Sequence, residues 1–329
     1  MSIIVSGGSG FIGTQFCRLL NAGSNAFCII DKVPSASFPL QTHQVDICDF
    51  AGLLSVAEGS AIVHLAAEHR DDVRPVSRYD KVNVEGTRNI VKVAEAKGVE
   101  RIVFTSSVAV YGFASPDTGE DGKIAPFNDY GRTKSEAEQV LIAWQQQDPE
   151  RRMLAIVRPT VVFGPGNRGN VYNLLRQINS GFFVMIGSGR NRKSMAFVDN
   201  VAAFLLCCLR FQPGIHIHNY VDKPDFDMNT LIAQVRGDLR GKPAVGLRLP
   251  LWFGMALGHV ADLVARVANR SLPISAIRVR KFTSNTCFLS SAHDVAGFQP
   301  PVRIQDGLSK TLLTEFKEPD PHQLVFYSE

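Results

Sequence analysis

Ile3-Ile4-Val5-Ser6-Gly7-Gly8-Ser9-Gly10-Phe11-Ile12-Gly13 decides how the rest of the chain is read. A β-branched run breaks into glycines at i, i+3 and i+6, the pattern of a buried strand that turns sharply into a helix. Positions without side chains let the backbone approach a pyrophosphate, whose charge meets the free N–H groups and dipole of the helix start. Gly7, Gly10, Phe11, Ile12 and Gly13 are therefore the first candidate cofactor contacts. Asp31 closes the next apolar run eighteen residues after Gly13, where a carboxylate can accept both ribose hydroxyls of a dinucleotide. Its charge would repel a 2′-phosphate, so NAD is expected; the neighbouring Lys32 keeps NADP open.

Outward from that turn, Ala26 to Ile30, Ala61 to Leu65, Arg101 to Thr105 and Leu154 to Arg158 read as further buried strands separated by helical segments. The rhythm predicts an α/β fold, a doubly wound parallel sheet with helices on both faces and a smaller C-terminal substrate-binding lobe. The expected division is a Rossmann domain at 1–165 plus 196–222 and a lobe at 166–195 plus 223–329. Asp46-Ile47 and Leu65-Ala66-Ala67 fall at carboxyl ends of strands, where such sheets bind ligands. Asp46 is equally suited to cap a helix. Later helices are expected near Asn200 to Arg210, Met228 to Leu239, Pro250 to Ala268 and Ile304 to Phe316.

With 329 residues, 45% of them hydrophobic and 20% charged, the chain buries a large core and excludes a disulfide scaffold or a disordered segment. A net charge of +4 is too small and dispersed for a nucleic-acid binder. The six cysteines lack CxxC spacing and read as buried thiols. His216 and His218 alternate on one strand face without a third ligand at useful spacing, so no metal is expected. The opening residues lack the basic region and apolar core of a signal peptide, and no run reaches the roughly 18 apolar residues of a membrane span. A cytoplasmic location follows as the expectation.

Chemistry is carried by a helix expected from Asn128-Asp129 to Asp148-Pro149. Tyr130 and Lys134 stand four apart on it, on one face. An ammonium beside a phenol favours the phenolate and draws its pKa down from about 10, which suits the phenol to act as base and then acid. Ser107, in Thr105-Ser106-Ser107-Val108-Ala109-Val110-Tyr111-Gly112, follows a buried strand and offers a hydroxyl to a substrate oxygen.

Taken in order, Gly7-x-x-Gly10-x-x-Gly13, Asn83-Val84-Glu85-Gly86-Thr87-Arg88-Asn89, Ser106-Ser107-x-x-x-Tyr111-Gly112, Tyr130-x-x-x-Lys134 and Arg158-Pro159 to Gly164-Pro165 resemble the extended short-chain dehydrogenase/reductases over nearly the whole chain. The resemblance implies a nicotinamide cofactor, a Ser107–Tyr130–Lys134 active site, a structural asparagine at Asn83, and cofactor contacts that include Asn83, Thr105 and Pro159. Members acting on nucleotide sugars work at C4 of a hexose. Val108-Ala109 stands where 4,6-dehydratases carry an Asp-Glu pair, so dehydration is not expected; Val161 replaces a substrate-contacting asparagine of many epimerases. Glu68-His69-Arg70-Asp71-Asp72, Asn167 to Asn173 and Asn219 to Pro224 are similar to the bacterial epimerases of surface-polysaccharide assembly. That likeness implies a 4-epimerase of an N-acetylhexosamine on a diphosphate carrier, the undecaprenyl-linked sugar favoured, working through a 4-keto sugar as part of O-antigen synthesis. A UDP-sugar 4-epimerase, an NADPH-dependent 4-keto-6-deoxy sugar reductase and a non-catalytic dinucleotide sensor are the rivals. Substrate contacts are expected at Ser107, Val108, Tyr130, Asn170, Lys193 and Arg280, with Arg190, Arg192 and Arg278 further candidates for the diphosphate.

Between Gly241 and Lys281 the basic residues Lys242, Arg248, Arg266, Arg270, Arg278, Arg280 and Lys281 face a single acidic one, Asp262. His259, Asp262, Arg266 and Arg270 recur at helical spacing beside Pro250-Leu251-Trp252-Phe253-Gly254-Met255-Ala256-Leu257. Such a helix suits peripheral contact with an anionic membrane surface, or packing on the lobe or on a second copy in a homodimer.

Overall fold

Seven parallel strands carry the glycine turn, in the order β10-β6-β5-β4-β1-β2-β3. They are β1 (Ser2–Ser6), β2 (Ala26–Asp31), β3 (Thr42–Gln44), β4 (Ala61–His64), β5 (Arg101–Thr105), β6 (Met153–Pro159) and, after β7 (Val161–Phe163), β8 (Met185–Ile186) and β9 (Arg192–Phe197), β10 (Gly214–Tyr220). A three-stranded sheet joins β11 (Asp222–Asp227), β9 and β7, and β8 pairs with β12 (Arg248–Leu249). The computed structural model describes residues 1–70, 73–268 and 276–327, apart from the side chains of 263, 265–268, 278 and 281.

The helices are α1 (Phe11–Ala22), α2 (Phe50–Val56), the short α3 (Ser77–Tyr79) that runs through a π-helical stretch at Asp80–Glu85 into α4 (Gly86–Lys97), and α5 (Asp129–Gln146). Then follow α6 (Asn170–Asn179), α7 (Val198–Cys208), α8 (Met228–Arg240), α9 (Leu251–Ala268), α10 (Ala276–Thr283) and α11 (Ile304–Leu312). The central strands of the large sheet are buried on both faces because helices cover both: every residue of β4 and of β6 is buried, whereas the edge strand β3 is polar and largely exposed. On one side Ile3, Val5, Val103 and Val157 pack with Phe16 and Leu20 of α1 and Phe204 of α7; on the other Ile4, Ile62, Ile102 and Ile156 meet Leu53, Ile90, Leu141 and Trp144 from α2, α4 and α5. A third core gathers Leu175, Ile178, Leu231, Val235, Leu308 and Leu312 from α6, α8 and α11.

Chain order reverses between β1 and β4, which places a crevice beyond their carboxyl ends. That crevice is the site.

Candidate active site

A cavity of about 1600 Å³ opens at the carboxyl ends of the strands, roomier than the 300–1,000 Å³ of an ordinary ligand pocket. Gly7, Gly10, Phe11, Ile12, Gly13, Asp31, Lys32, Asp46, Ile47, Leu65, Ala66, Ala67, Thr105, Pro159, Val108 and Asn170 line it, together with Ser107, Tyr130 and Lys134. Glycine is required at its floor. Gly7 holds φ +76°, and a Cβ there would lie 2.5 Å from the backbone nitrogen of Ala66. A Cβ on Gly13 would lie 2.3 Å from the Gly7 carbonyl oxygen. Leu65-Ala66-Ala67 and the glycine turn thus pack backbone to backbone beneath the cavity.

The donor set fits a dinucleotide. Gly10 stands at the N-cap of α1 and has no side chain with which to satisfy the first-turn N–H groups. Asp31 Oδ2 accepts from Ser9 N at 3.1 Å and Oδ1 from Val33 N at 3.1 Å, which fixes the carboxylate at the rim. Burial pushes its pKa upward against those hydrogen bonds. Asp49, not Asp46, caps α2, accepting from Gly52 N at 3.1 Å; Asp46 accepts from Cys48 N at 2.9 Å and faces the cavity.

α5 begins where the Asn128 side chain accepts from Gly131 N at 2.9 Å, one helical turn before Lys134. Lys134 is only 3% exposed. Its Nζ donates to the Thr105 carbonyl at 2.7 Å and lies 4.6 Å from the centroid of the Phe104 ring. Burial lowers its pKa to about 7, against the pull of Glu138. Ser107 caps the 3₁₀ turn Val108–Tyr111, its Oγ accepting from Ala109 N at 3.1 Å.

Behind these groups lies a buried polar network. Glu138, one turn beyond Lys134 and 1% exposed, forms a two-pronged pair with Arg158 at 2.9 and 2.6 Å. It also accepts from the hydroxyl of Ser106. Arg158 donates to Tyr111 OH at 2.7 Å, and that phenol donates to Asn219 Oδ1 at 2.8 Å. One carboxylate therefore ties α5, the end of β5 and β6 together, and desolvated charge-assisted bonds of this kind hold geometry closely.

Three expected contacts stand elsewhere. Asn83 is buried behind the wall: its Oδ1 accepts from Glu68 N at 2.8 Å, and its Nδ2 donates to the Glu68 carbonyl and to Thr133 Oγ1, both at 3.0 Å. Its polar groups are spent on orienting the loop after β4 against α5, so it supports the pocket and does not line it. Lys193 lies behind Thr286, to which its Nζ donates at 3.0 Å; Thr286 faces the cavity and Lys193 does not. Arg280 is exposed on α10, off the cavity wall. Arg192 pairs with Asp117 at 3.5 Å. Asp71, Asp72 and Arg270, with the side chains of Arg266, Arg278 and Lys281, lie outside the described residues.

Besides Lys134, the described cations that reach the cavity are Lys32, Arg70, Arg78 and Lys81. Glu68 organises two of them, with Arg78 Nε at 2.9 Å and Arg70 Nε at 3.6 Å. Phe127, Thr286, Phe288 and the segment Leu324 to Tyr327 complete the wall. Lys32 carries a signal in the sequence through its place beside Asp31, and Glu68 and Arg70 through the stretch that follows Ala67; Arg78, Lys81, Phe127, Thr286, Phe288 and the segment Leu324 to Tyr327 carry none.

α9 presents an unusual face. Gly254 and Gly258 turn inward, and a Cβ on Gly254 would lie 2.5 Å from Ile186. Trp252 (71% exposed) and Val260 (60%) turn outward with Leu251 and Leu257. Asp262 is turned in and accepts from Ala276 N at 3.1 Å, so it is not part of an outward polar stripe. No helix among the described residues is long and apolar enough to cross a membrane.

A crossover fold with a glycine cradle, a carboxylate fixed at the cavity rim and a serine, tyrosine and lysine in one cavity defines a class, and the chain belongs to the NAD dependent epimerase/dehydratase family, whose model matches residues 3–220. It is 43% identical to the N-acetyl-alpha-D-glucosaminyl-diphospho-ditrans,octacis-undecaprenol 4-epimerase of Escherichia coli O157:H7, covering 100% of this chain and 99% of that protein. It is 28% identical to a UDP-glucose 4-epimerase of Vibrio cholerae, covering 94% of each. Among solved structures, the UDP-Glc/GlcNAc 4-epimerase of Campylobacter jejuni shares the fold at a TM-score of 0.71 and 20% identity, over 94% of this chain and 97% of that one.

Proposed function

We propose that this protein is a 4-epimerase that interconverts the gluco and galacto forms of an N-acetylhexosamine carried on a diphosphate, the undecaprenyl-linked sugar first. The observation that carries this reading is the gathering of Ser107, Tyr130 and Lys134 into the cavity floored by the glycine turn, in a chain 43% identical to an epimerase of that name.

NAD, when bound, supplies the acceptor and then the donor of the C4 hydride. The glycine turn and the start of α1 would hold its pyrophosphate, and Asp31 the adenosine ribose. Tyr130 Oη takes the proton of the C4 hydroxyl and later returns it. Ser107 Oγ steadies the C4 oxygen as it becomes a carbonyl and reverts. Lys134 keeps positive charge beside the phenol, so the phenolate is favoured. Glu138 and Arg158 maintain the spacing of these groups. A cavity of 1600 Å³ leaves room for the 4-keto sugar to turn over and present its other face.

The carrier is a finer matter. An exposed Trp252, Leu257 and Val260 on α9, flanked in the chain by the exposed cations Lys242, Arg248 and Arg280, support peripheral contact with an anionic lipid surface on the cytoplasmic side. A lipid-linked sugar is presented at such a surface. The second reading, a UDP-sugar 4-epimerase, draws on the Vibrio cholerae relative.

Purified protein offered UDP-N-acetylglucosamine and undecaprenyl-diphospho-N-acetylglucosamine in parallel, without added cofactor, tests both readings by chromatography of the released sugars. Galacto product from the lipid-linked sugar alone, with no net NADH, is expected. Conversion of the UDP-sugar alone installs the second reading, and stoichiometric consumption of NADPH replaces both with a reductase.

A further inference from the structure

One wall of the cavity comes from far along the chain. Leu324, Val325, Phe326 and Tyr327 line the same space as Gly10 and Phe11. They are fastened to the turn that follows β7: Phe326 N donates to the Gly166 carbonyl and Arg168 N to the Phe326 carbonyl, each at 2.8 Å, a bridge between Asn167 and Phe326. The Phe326 ring lies 5.7 Å from that of Phe11, tilted at 52°. This contact sits at the first residue of α1, beside the glycine cradle.

Glu315 anchors the arrangement. Its buried carboxylate accepts from Gly166 N at 2.6 Å, Arg168 Nη1 at 2.5 Å and Gln323 Nε2 at 3.1 Å. Three donors from both partners of the bridge thus converge on one acid. Gly166 is adapted to the crossing: it holds φ +89°, and a Cβ there would lie 2.4 Å from the Leu324 carbonyl oxygen. The turn is shaped around the segment that crosses it, as a built contact requires.

We infer that residues 323–327 form a strap that closes the dinucleotide site and slows the escape of NAD, with Glu315 as its positioning residue. The inference rests on the epimerase reading, and it adds a physical need. An enzyme that takes up a hydride from its substrate and gives the same one back must keep its cofactor through the turnover. Apolar cover over the pyrophosphate and an anchored main chain slow dissociation without touching the reacting atoms.

The test is the rate at which bound radiolabelled NAD leaves the full-length protein in an excess of unlabelled NAD, for the wild type, Phe326→Ala, Glu315→Gln and, as a control on the outer face of the same helical region, Leu313→Ala. Release at least ten-fold faster in Phe326→Ala and Glu315→Gln, with Leu313→Ala unchanged, is the expected result. Should Glu315→Gln fail to fold, Phe326→Ala decides, since it removes only the ring. Release at the wild-type rate from folded Phe326→Ala overturns the strap, as does a raised KM for the sugar diphosphate with NAD release unaltered. A wild type that retains NAD and epimerises, beside a Phe326→Ala protein of normal release, defeats the strap and leaves the epimerase reading standing. A wild type that takes up no NAD removes both.

Discussion

α5 and α9 are both 18 residues long, and each departs from the ordinary polarity of a surface helix: α5 buries charge beside Leu141 and Trp144, and α9 leaves apolar side chains exposed. α5 turns Thr133, Lys134 and Glu138 inward, whereas α9 turns glycines inward and leaves Trp252, Leu257 and Val260 outside. Burial of charge in α5 is compensated by specific partners, the Thr105 carbonyl for Lys134 and Arg158 for Glu138. Exposure of apolar surface in α9 has no such compensation within the described chain. Both departures oppose stability, and on the proposed epimerase reading the first serves chemistry and the second a surface to be covered.

The largest effect should come from the inward side of α5. Tyr130→Phe is expected to lower the epimerisation rate by ~10³-fold or more, as loss of a positioned acid–base group does, with the far-ultraviolet spectrum unchanged; near-normal turnover would empty the comparison of its chemical half. Next stands Glu138→Ala, which strands a buried guanidinium and should cost about 3–5 kcal/mol in denaturant unfolding. A loss below about 1 kcal/mol would show that water or a shifted side chain replaces the carboxylate.

Lys134→Met sharpens the contrast because stability and activity should part. The folded-state pKa of Lys134, about 7, lies below the 10.5 of a free lysine. Between those values the unfolded chain holds the extra proton, so stability falls as pH drops from 10.5 toward 7 and the loss is complete below about 7. The methionine variant should be inactive, melt ~2 °C or more above the wild type at pH 7, and lose that part of the pH dependence. The smallest effect on folding belongs to α9. Trp252→Glu combined with Val260→Glu should shift stability by no more than about 0.5 kcal/mol, yet abolish co-sedimentation with vesicles containing anionic phospholipid. Retained sedimentation would assign the exposed face to another partner.

The large sheet was legible because its signals are local. Glycine spacing after Ile3 to Ser6, the carboxylate at Asp31 and the four-residue step from Tyr130 to Lys134 each encode a backbone geometry or a shared helix face in adjacent residues. The Asn128 cap, too, is written beside the helix it starts. What escaped is non-local. Phe326 reaches Gly166 through pairing across 160 residues of chain, and nothing near either position announces the other. Lys193 and Arg280 stand out in the sequence only by their charge, which does not encode direction; in the fold Lys193 donates to Thr286 and Arg280 faces solvent. The helical spacing in α9 was readable as a period, but its phase was set by Gly254 against Ile186, a contact between residues 68 apart.

Glu138 receives the Ser106 hydroxyl and the Arg158 guanidinium on a single carboxyl group, from the helix that also bears Tyr130 and Lys134. Strand and helix therefore share one hinge pin. Transplanting the tyrosine and lysine onto another scaffold would move the tools without the jig; a working graft has to carry the acid, its arginine and the serine pair as one inherited unit.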